Sequence, residues 1–279
     1  MEIRRSEKAG IHITSIKGQD LPIEAEKNVA GVAGLAILKA HNAQLGFEIR
    51  IEKNIKPGSG IGSSAASAAG TVAGINYLLG NPFTNKELIP FAMEGERLAC
   101  GSAHADNVAP ALLGGFTLVR DTNPLDICAL PTPLELVATV IHPKIEVKTA
   151  DARAVLKERV TLEKAISQWG NVGALVSSLY EEDYDLLSRS LVDGIVEPAR
   201  SILIPYFKEL KAACKEGGAL GSGISGSGPS VFALSRGMST ANKVAQAMQS
   251  VLEETNIPFD IHVSPVKKTG VSFIEDLLT

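Results

Sequence analysis

Hydrophobic and polar positions alternate most clearly in the run Phe47-Glu48-Ile49-Arg50-Ile51-Glu52. A period of two places every apolar side chain on one face, so this run predicts a β-strand with one buried side. Weaker alternation around Ile11 and Ile13 predicts an earlier strand. Later runs predict strands at 134–141, 229–234 and 259–264, and another at 116–119 that is entered by the turn Gly114-Gly115.

Other segments carry the signals of helices. Residues 28–41 are rich in Ala, Gly and Leu, and Asn28 is a suitable N-cap, so a closely packed helix is expected there. Thr84 and Glu87 form a capping box that opens a helix running to Cys100 and ended by Gly101. Further helical patterns occupy 150–157, 161–179, 183–193, 202–215 and 239–254.

The elements come in groups of strands and helices rather than in strict alternation, so the fold class is α+β. A chain of 279 residues makes one large domain or two ordinary ones. Leu130-Pro131-Thr132-Pro133 is the best linker, because two prolines in three residues interrupt any regular element. We therefore expect domains at 1–131 and 134–279.

Composition excludes several classes of function. With 27 basic and 31 acidic residues, the net charge of −4 provides no broad attraction to nucleic acid. The longest apolar run, within 29–38, is much shorter than the roughly 20 residues that span a bilayer. No apolar segment follows the basic start, so we expect no signal peptide, no membrane partner and a cytosolic location.

The cysteines do not indicate a metal or disulfide site. Cys100, Cys128 and Cys214 are far apart, and none belongs to a spacing that is typical of zinc ligands. We expect them to be small buried residues in a reducing compartment.

The strongest chemical signal is the glycine-rich segment 56–70, which follows the clear strand and leads into a helical run of small residues. Glycine at every second position lets the backbone approach a ligand, and the unpaired N–H groups of a helix start favour an anion. Ser63 and Ser64 add hydroxyls at the same place. The pattern is not a Walker A loop, since no Gly-Lys-Ser/Thr follows. The alternative is a flexible turn that feeds a close-packed helix.

A second glycine-rich segment covers 217–230. Gly221-x-Gly223-x-x-Gly226 matches the dinucleotide fingerprint formally, but no strand precedes it and no acidic residue follows at the required distance. We interpret it as a second loop lined by backbone, set between two short strands.

Four motifs in order then resemble a known family. Pro57 to Ala66 resembles the phosphate-binding motif of the GHMP small-molecule kinases, and Gly223 to Ser230 resembles their C-terminal glycine motif. Within these kinases, the stretches 104–110 (His-Ala-Asp-Asn-Val-Ala-Pro) and 197–205 (Glu-Pro-Ala-Arg-Ser-Ile-Leu-Ile-Pro) resemble the homoserine kinase family. The likeness covers nearly the whole chain. It implies a two-domain fold, with an N-terminal domain like domain 2 of ribosomal protein S5 and a ferredoxin-like C-terminal domain.

The resemblance implies transfer of the γ-phosphoryl group of ATP to L-homoserine, a step of threonine biosynthesis, with Mg²⁺ as the metal. Ser64 and Glu96 would hold Mg²⁺, which favours hard oxygen ligands. From the residues alone, Glu96 could instead be a surface group paired with Arg97 or Lys86. The residues expected to surround the triphosphate are Lys56, Pro57, Gly58, Ser59, Gly60, Ile61, Gly62, Ser63, Ser64, Ala65 and Ala66.

For the acceptor, Asp106 would suit the ammonium group and Asn107 the amino acid or its hydroxyl, and these two are the candidate catalytic residues. The resemblance implies a branch of the family that works without a general base, so we name none; Asp106 is the only candidate to test. Helix capping by Ser102 or Asp106 is the alternative for this stretch. Arg153 and Arg200 would bind the carboxylate through their planar guanidinium groups, unless Arg153 pairs with Asp151 and Arg200 is a solvated charge. The remaining expected substrate contacts are His104, Thr149 and Gly226.

The chain departs from the family pattern at its start. The usual Pro-Ala-Thr-x-Ala-Asn-x-Gly-Pro-Gly-Phe-Asp segment is missing, and residues 1–5 match what normally follows it. We therefore expect the chain to begin after that segment. Pro57 also lies one position later than usual.

Two other functions remain open on the sequence. The first is another GHMP kinase, acting on mevalonate, shikimate or a sugar, although a sugar has no carboxylate for the two arginines. The second is a shortened, non-catalytic nucleotide-binding form. A homodimer is an expectation from the family only.

Overall fold

The computed structural model describes residues 1–42, 44–101, 103–145, 147, 152 and 154–274. The chain forms two compact units. The first comprises 1–57, 62–129 and the residues from Lys267 on, and the second comprises 58–61 and 130–266. The domain boundaries expected at 1–131 and 134–279 stay a prediction. The compact units follow different boundaries, because residues 58–61 belong to the second unit and the residues from Lys267 on belong to the first.

The strands of the first unit form two sheets. Strands β1 (Glu2–Ser6), β2 (Gly10–Lys17) and β3 (Gly46–Glu52) lie in the order β1-β3-β2. β3 is antiparallel to β1 and parallel to β2. Strands β4 (Phe116–Thr122) and β5 (Leu125–Leu130) form a separate pair. The predicted alternation in β3 is confirmed, because Phe47, Ile49 and Ile51 are all buried.

The helices of the first unit are α1 (Val29–His41), α2 (Ser63–Leu78), α3 (Asn85–Cys100) and α4 (Val108–Leu113). The predicted caps are confirmed. The Asn28 side chain accepts a hydrogen bond from the Ala30 N–H, the Thr84 capping box is complete, and Gly101 ends α3 with a φ of +73°.

Small side chains let these helices pack closely. Ala33 of α1 and Ala68 of α2 are fully buried. On α3, a Cβ placed on Gly95 would lie 2.7 Å from the Val29 carbonyl oxygen and 3.2 Å from the Ala68 Cβ. No larger residue fits there, so Gly95 allows α3 to approach both other helices and carries the next residue, Glu96, into the interior.

The second unit contains strands β6 (Leu136–Pro143), β7 (Gly221–Ile224), β8 (Val231–Arg236) and β9 (Phe259–Pro265). They lie in the order β7-β8-β6-β9, with all neighbours antiparallel. Its helices are α5 (Leu162–Glu181), α6 (Tyr184–Ser190), α7 (Glu197–Arg200), α8 (Phe207–Glu216) and α9 (Met238–Glu253). In chain order, β6-α8-β7-β8-α9-β9 is the ferredoxin-like arrangement. Its core includes Ile141, Leu210, Val231, Val244 and Met248.

Several predicted elements need correction. The helix expected at 202–215 is a 3₁₀ turn at Ser201–Leu203 followed by α8, because Pro205 interrupts the pattern and Tyr206 is left-handed with a φ of +57°. The second glycine segment does not lie wholly between strands, since β7 is part of it. The helix expected at 183–193 ends at Ser190, and the one at 150–157 lies partly outside the described residues.

The expectation that the cysteines are buried is confirmed for Cys214 and wrong for Cys128, and the side chain of Cys100 lies outside the described residues. Cys214 is buried and free, whereas Cys128 is exposed on β5, a strand of the two-stranded sheet. Burial raises the pKa of the Cys214 thiol to about 11, so this group is an unreactive core residue. None of the helices that the structure describes is long and apolar enough to cross a membrane.

Candidate active site

The loop before α2 has the conformation that the alternating glycines predict. Gly58, Gly60 and Gly62 have φ values of +75°, +81° and +72°, which residues with a side chain rarely adopt. Gly62 is the N-cap of α2 and provides no side-chain hydrogen bond, and the first turn of α2 contains no acidic residue. The N–H groups and the positive end of this helix therefore remain available for an anion.

The two serines at the start of α2 have different surroundings. Ser63 is buried, and its hydroxyl donates a 2.6 Å hydrogen bond to the Ile55 carbonyl oxygen. Ser64 is less buried, and its side chain is near enough to the Glu96 carboxylate to lower the pKa of that group. Of the two hydroxyls expected at the helix start, the Ser63 hydroxyl is thus used within the protein, and only its backbone is left for a ligand.

Glu96 is a buried carboxylate with one open oxygen. Glu96 is only 3% exposed, and its Oε1 atom has no hydrogen-bond partner among the described residues. Burial raises its pKa, and Asp106 raises it further, while Ser64, His104 and Lys53 act in the opposite direction. The surface alternative for Glu96 is wrong, because Arg97 instead bonds to Glu94 at 3.1 Å.

Lys53 is a further charged residue of this site that the sequence prediction missed. It is buried, and its Nζ atom donates to the Ser63 carbonyl oxygen at 2.8 Å and to the Ser67 hydroxyl at 2.6 Å. Burial lowers the pKa of Lys53, and the nearby Glu96 carboxylate opposes this shift. The signal was available, since position 53 continues the buried alternation of 47, 49 and 51.

The stretch before α4 brings polar groups to the same place. His104 and Asp106 act electrostatically on Glu96, and the side-chain oxygen of Asn107 lies 3.5 Å from the position of a Cβ on Gly62. Asp106 accepts a 3.0 Å hydrogen bond from the Asn107 N–H. Asn107 is the N-cap of α4 and no side chain caps this helix, so the capping alternative is wrong for Asp106, and Ser102 lies outside the described residues. Both Asp106 and Asn107 remain exposed and so accessible to a ligand.

In the second unit, Arg200 ends the short helix α7. Its Nε donates to the Ala152 carbonyl oxygen at 3.1 Å and its Nη1 to the Gly226 carbonyl oxygen at 3.2 Å. The solvated-charge alternative is wrong, because these bonds orient the guanidinium group. Its Nη2 group donates no hydrogen bond within the described parts of the chain. Thr149 and Arg153, expected beside it, lie outside the described residues.

The donor set of the first unit fits Mg²⁺ and does not fit a metal bound by the protein alone. The described residues contain no group of three or more His, Cys, Asp and Glu side chains that could hold a metal ion. One buried carboxylate with an open oxygen, near a serine hydroxyl, is instead the partial set of hard ligands that Mg²⁺ completes with phosphates and water.

Comparisons with known proteins agree with this geometry. Residues 27–115 match the family model of the GHMP kinases N terminal domain, and 175–254 match that of the GHMP kinases C terminal domain. The chain is 47% identical to a homoserine kinase of Chlorobium phaeobacteroides, over 98% of this chain and 88% of that protein. It is 34% identical to a homoserine kinase of Methanococcus vannielii, over 99% and 88%.

Solved structures give the same result. A crystal structure of homoserine kinase from Cytophaga hutchinsonii is 52% identical and superposes with a TM-score of 0.92, over 96% of this chain and 86% of that one. A mevalonate kinase of L. major shares the fold at a TM-score of 0.68 with only 17% identity, over 94% and 85%.

Fold and glycine loop together define a small-molecule kinase of the GHMP class, and the predicted α+β, two-domain GHMP kinase fold is confirmed. The chain belongs to the homoserine kinase family of these enzymes.

Proposed function

We propose that this chain transfers the γ-phosphoryl group of ATP to the side-chain hydroxyl of L-homoserine and forms O-phospho-L-homoserine, a step of threonine biosynthesis. The observation that carries the proposal is the buried Glu96 carboxylate, which has an open oxygen and lies near Ser64 at the start of an uncapped helix. The acceptor follows from the family membership, since the compared homoserine kinases are 47% and 52% identical to the chain.

The loop and the start of α2 would bind the triphosphate. Positive-φ glycines expose backbone N–H groups to phosphate oxygens, and the helix dipole adds favourable charge. Ser64 and Glu96 would hold Mg²⁺. When bound, Mg²⁺ supplies positive charge to the phosphate oxygens. Burial raises the pKa of Glu96, and Lys53 opposes this rise and so favours the ionised carboxylate that a metal requires.

Arg200 would bind the carboxylate of the acceptor. Its guanidinium group is held by two backbone carbonyls and keeps Nη2 for a ligand, so the group is oriented before the substrate arrives. Arg153 and Thr149 are proposed for the same substrate by resemblance, together with His104 and Gly226. Asp106 would attract the ammonium group, and Asn107 would orient the hydroxyl.

The chemistry is a displacement at phosphorus. The acceptor oxygen forms a bond to the γ-phosphorus, the bond from that phosphorus to the bridging oxygen of ADP breaks, and the hydroxyl proton leaves. Such transfers depend on position and electrostatics more than on covalent catalysis. Asp106 is the group to test as acceptor of the proton.

A coupled ADP-release assay tests the function. The panel contains L-homoserine, L-serine, mevalonate, shikimate and galactose, with ATP and Mg²⁺ at fixed concentrations. We expect turnover with L-homoserine to exceed that with every other alcohol. Faster turnover with mevalonate or a sugar would assign another GHMP kinase activity, and ATP binding without turnover of any alcohol would assign a non-catalytic form.

The homodimer and the cytosolic location stay proposals. A row of exposed apolar side chains on α5 supports self-association: Leu162, Ile166 and Trp169 are 68%, 56% and 64% exposed at helical spacing. Light scattering should find a dimer for the wild type and a monomer for Trp169→Glu. A monomeric wild type would remove the dimer from the proposal.

A further inference from the structure

A buried chain of polar groups in the second unit ends on the backbone of the glycine loop. His142 on β6 is 3% exposed, and its Nδ1 atom lies 3.1 Å from the hydroxyl of Ser230. Ser230 is fully buried and donates a 2.6 Å hydrogen bond to the carbonyl oxygen of Ser59. None of these polar contacts was predicted, since positions 142 and 230 lie 88 residues apart.

The direction of the hydrogen bonds follows from counting protons. A serine hydroxyl has one hydrogen, and that of Ser230 is donated to Ser59. The hydroxyl can therefore only accept from His142, so the proton of the imidazole lies on Nδ1. His142 therefore donates to the Ser230 hydroxyl, which in turn donates to the Ser59 carbonyl oxygen.

The neighbouring carbonyl is held in the same way. Ser225 donates a 2.7 Å hydrogen bond to the Gly60 carbonyl oxygen. There is no room for a side chain at Gly60, because a Cβ would lie 2.5 Å from the Ser225 carbonyl oxygen and 2.8 Å from that of Gly228. Two successive carbonyls of the loop are thus fixed by two serines of the second glycine segment.

Fixing these carbonyls also fixes the N–H groups that follow. In a planar trans peptide, the carbonyl of one residue and the N–H of the next point in opposite directions. The N–H groups of Gly60 and Ile61 are therefore directed away from Ser230 and Ser225. Within the described residues, no backbone carbonyl accepts a hydrogen bond from either group.

We propose that His142 is a positioning residue for phosphate binding, which acts through Ser230 to orient the peptide that presents the Gly60 N–H. The inference rests on the proposed role of the loop in binding the triphosphate of ATP. His142 is connected to the loop through Ser230, so its removal should weaken nucleotide binding more than it weakens binding of the acceptor.

The test compares three variants at His142 by calorimetry with ATP and by steady-state kinetics. His142→Leu removes the donor, His142→Gln moves it to the far end of the side chain, and His142→Asn keeps an N–H near the place of Nδ1. We expect His142→Leu and His142→Gln to raise both the Kd and the KM for ATP about three- to tenfold, the effect of one lost hydrogen bond. The KM for L-homoserine should change less, and His142→Asn should restore most of the affinity.

Two more variants exclude a general effect on folding. Ser230→Ala should reproduce the effect of His142→Leu. The double variant should bind ATP no more weakly than Ser230→Ala alone, because both residues belong to the same series of hydrogen bonds. Ser235→Ala, which removes another fully buried hydroxyl from β8, is the matched control and should leave ATP affinity unchanged. If His142→Leu does not fold, two results still test the role of His142 in ATP binding. These are the difference in affinity between His142→Asn and His142→Gln, and the affinity of Ser230→Ala.

Equal changes in the KM for ATP and for L-homoserine, additive losses in the double variant, or an Asn variant as weak as Leu would overturn the inference. Failure of the proposed function is a separate result. If the wild type does not phosphorylate L-homoserine, calorimetry with ATP still shows whether His142 supports the loop.

Discussion

The two glycine-rich segments have similar compositions and different structural roles. In the first, Gly58, Gly60 and Gly62 adopt positive φ values, and the chain enters a helix with an uncapped start. In the second, the turn at 225–230 leads into a strand, and the hydroxyls of Ser225 and Ser230 bond to carbonyls of the loop at 58–61. The first segment presents N–H groups, and the second fixes the direction in which they point.

The difference shows that the element following the glycines matters more than the glycines themselves. A helix start leaves several N–H groups without partners and adds a dipole, whereas a strand uses its N–H groups in the sheet. The two segments also differ in the charged residues near them. Two buried charged residues, Glu96 and Lys53, lie near the start of α2, whereas the second segment acts on the loop through serine hydroxyls, one of them next to an imidazole. Substitutions near α2 should therefore affect the chemical step, and those in the second segment should affect affinity.

The largest effect is expected at Glu96. Glu96→Gln keeps the shape and removes the charge that would hold Mg²⁺, so kcat should fall by at least about 100-fold, given that even groups behind a metal ligand cost 10- to 100-fold. Glu94→Gln is the matched control, because Glu94 is a half-exposed carboxylate on the same helix that pairs with Arg97 and not with the site. Steady-state kinetics at several Mg²⁺ concentrations measure both. An unchanged kcat in Glu96→Gln would remove Glu96 from the metal site.

A smaller and different effect is expected at Arg200. Arg200→Leu removes charged hydrogen bonds to the acceptor carboxylate, and a loss of about 2 kcal/mol raises the KM for L-homoserine about 30-fold. The KM for ATP should change little. Arg189→Leu, at an exposed arginine of α6, serves as the control. If both substrates are affected equally, Arg200 does not bind the carboxylate.

Close packing of α3 is tested by stability. Gly95→Ala places a methyl group 2.7 Å from the Val29 carbonyl oxygen, so the free energy of unfolding should fall by about 1–3 kcal/mol. Gly170→Ala on α5 has open space and should raise the free energy of unfolding by up to about 1 kcal/mol. Denaturant titration compares the two. A Gly95→Ala variant as stable as the wild type would show that this glycine is not required for the burial of Glu96.

The smallest expected effect is a dependence of stability on pH. Burial raises the pKa of Glu96, so the folded protein keeps this proton to a higher pH than the unfolded chain does. The stability contributed by the site therefore falls as the pH rises from the ordinary range of glutamate through the raised pKa. Glu96→Gln cannot ionise and lacks this fall, so its stability relative to the wild type should increase with pH.

Denaturant titrations at a series of pH values, without Mg²⁺ and nucleotide, measure this difference, since ligands would stabilise the native state themselves. Parallel curves for wild type and variant would contradict the raised pKa.

The sequence predicted what depends on local signals. The strand at 47–52, the Asn28 and Thr84 caps and the positive-φ glycines are all confirmed, because each follows from residues within a few positions. β1 and β5 were missed, since each is only five or six residues long and is defined by its pairing partner. The GHMP resemblance supplied the fold, which periodicity alone could not.

Contacts between distant residues could not be predicted. The bond between His142 and Ser230, and the burial of Glu96 beside Lys53, depend on tertiary packing. Ser63 and Ser64 show the same limit, because only the structure distinguishes the hydroxyl bonded to Ile55 from the one that lies near Glu96.

The central claim is that Glu96 and Ser64 provide the metal ligands for a nucleotide bound at the start of α2. Calorimetry with ATP in the presence and absence of Mg²⁺, on the wild type and on Glu96→Gln, tests it most directly. We predict that Mg²⁺ tightens ATP binding to the wild type and fails to do so in the variant. An equal gain from Mg²⁺ in both proteins would contradict the account.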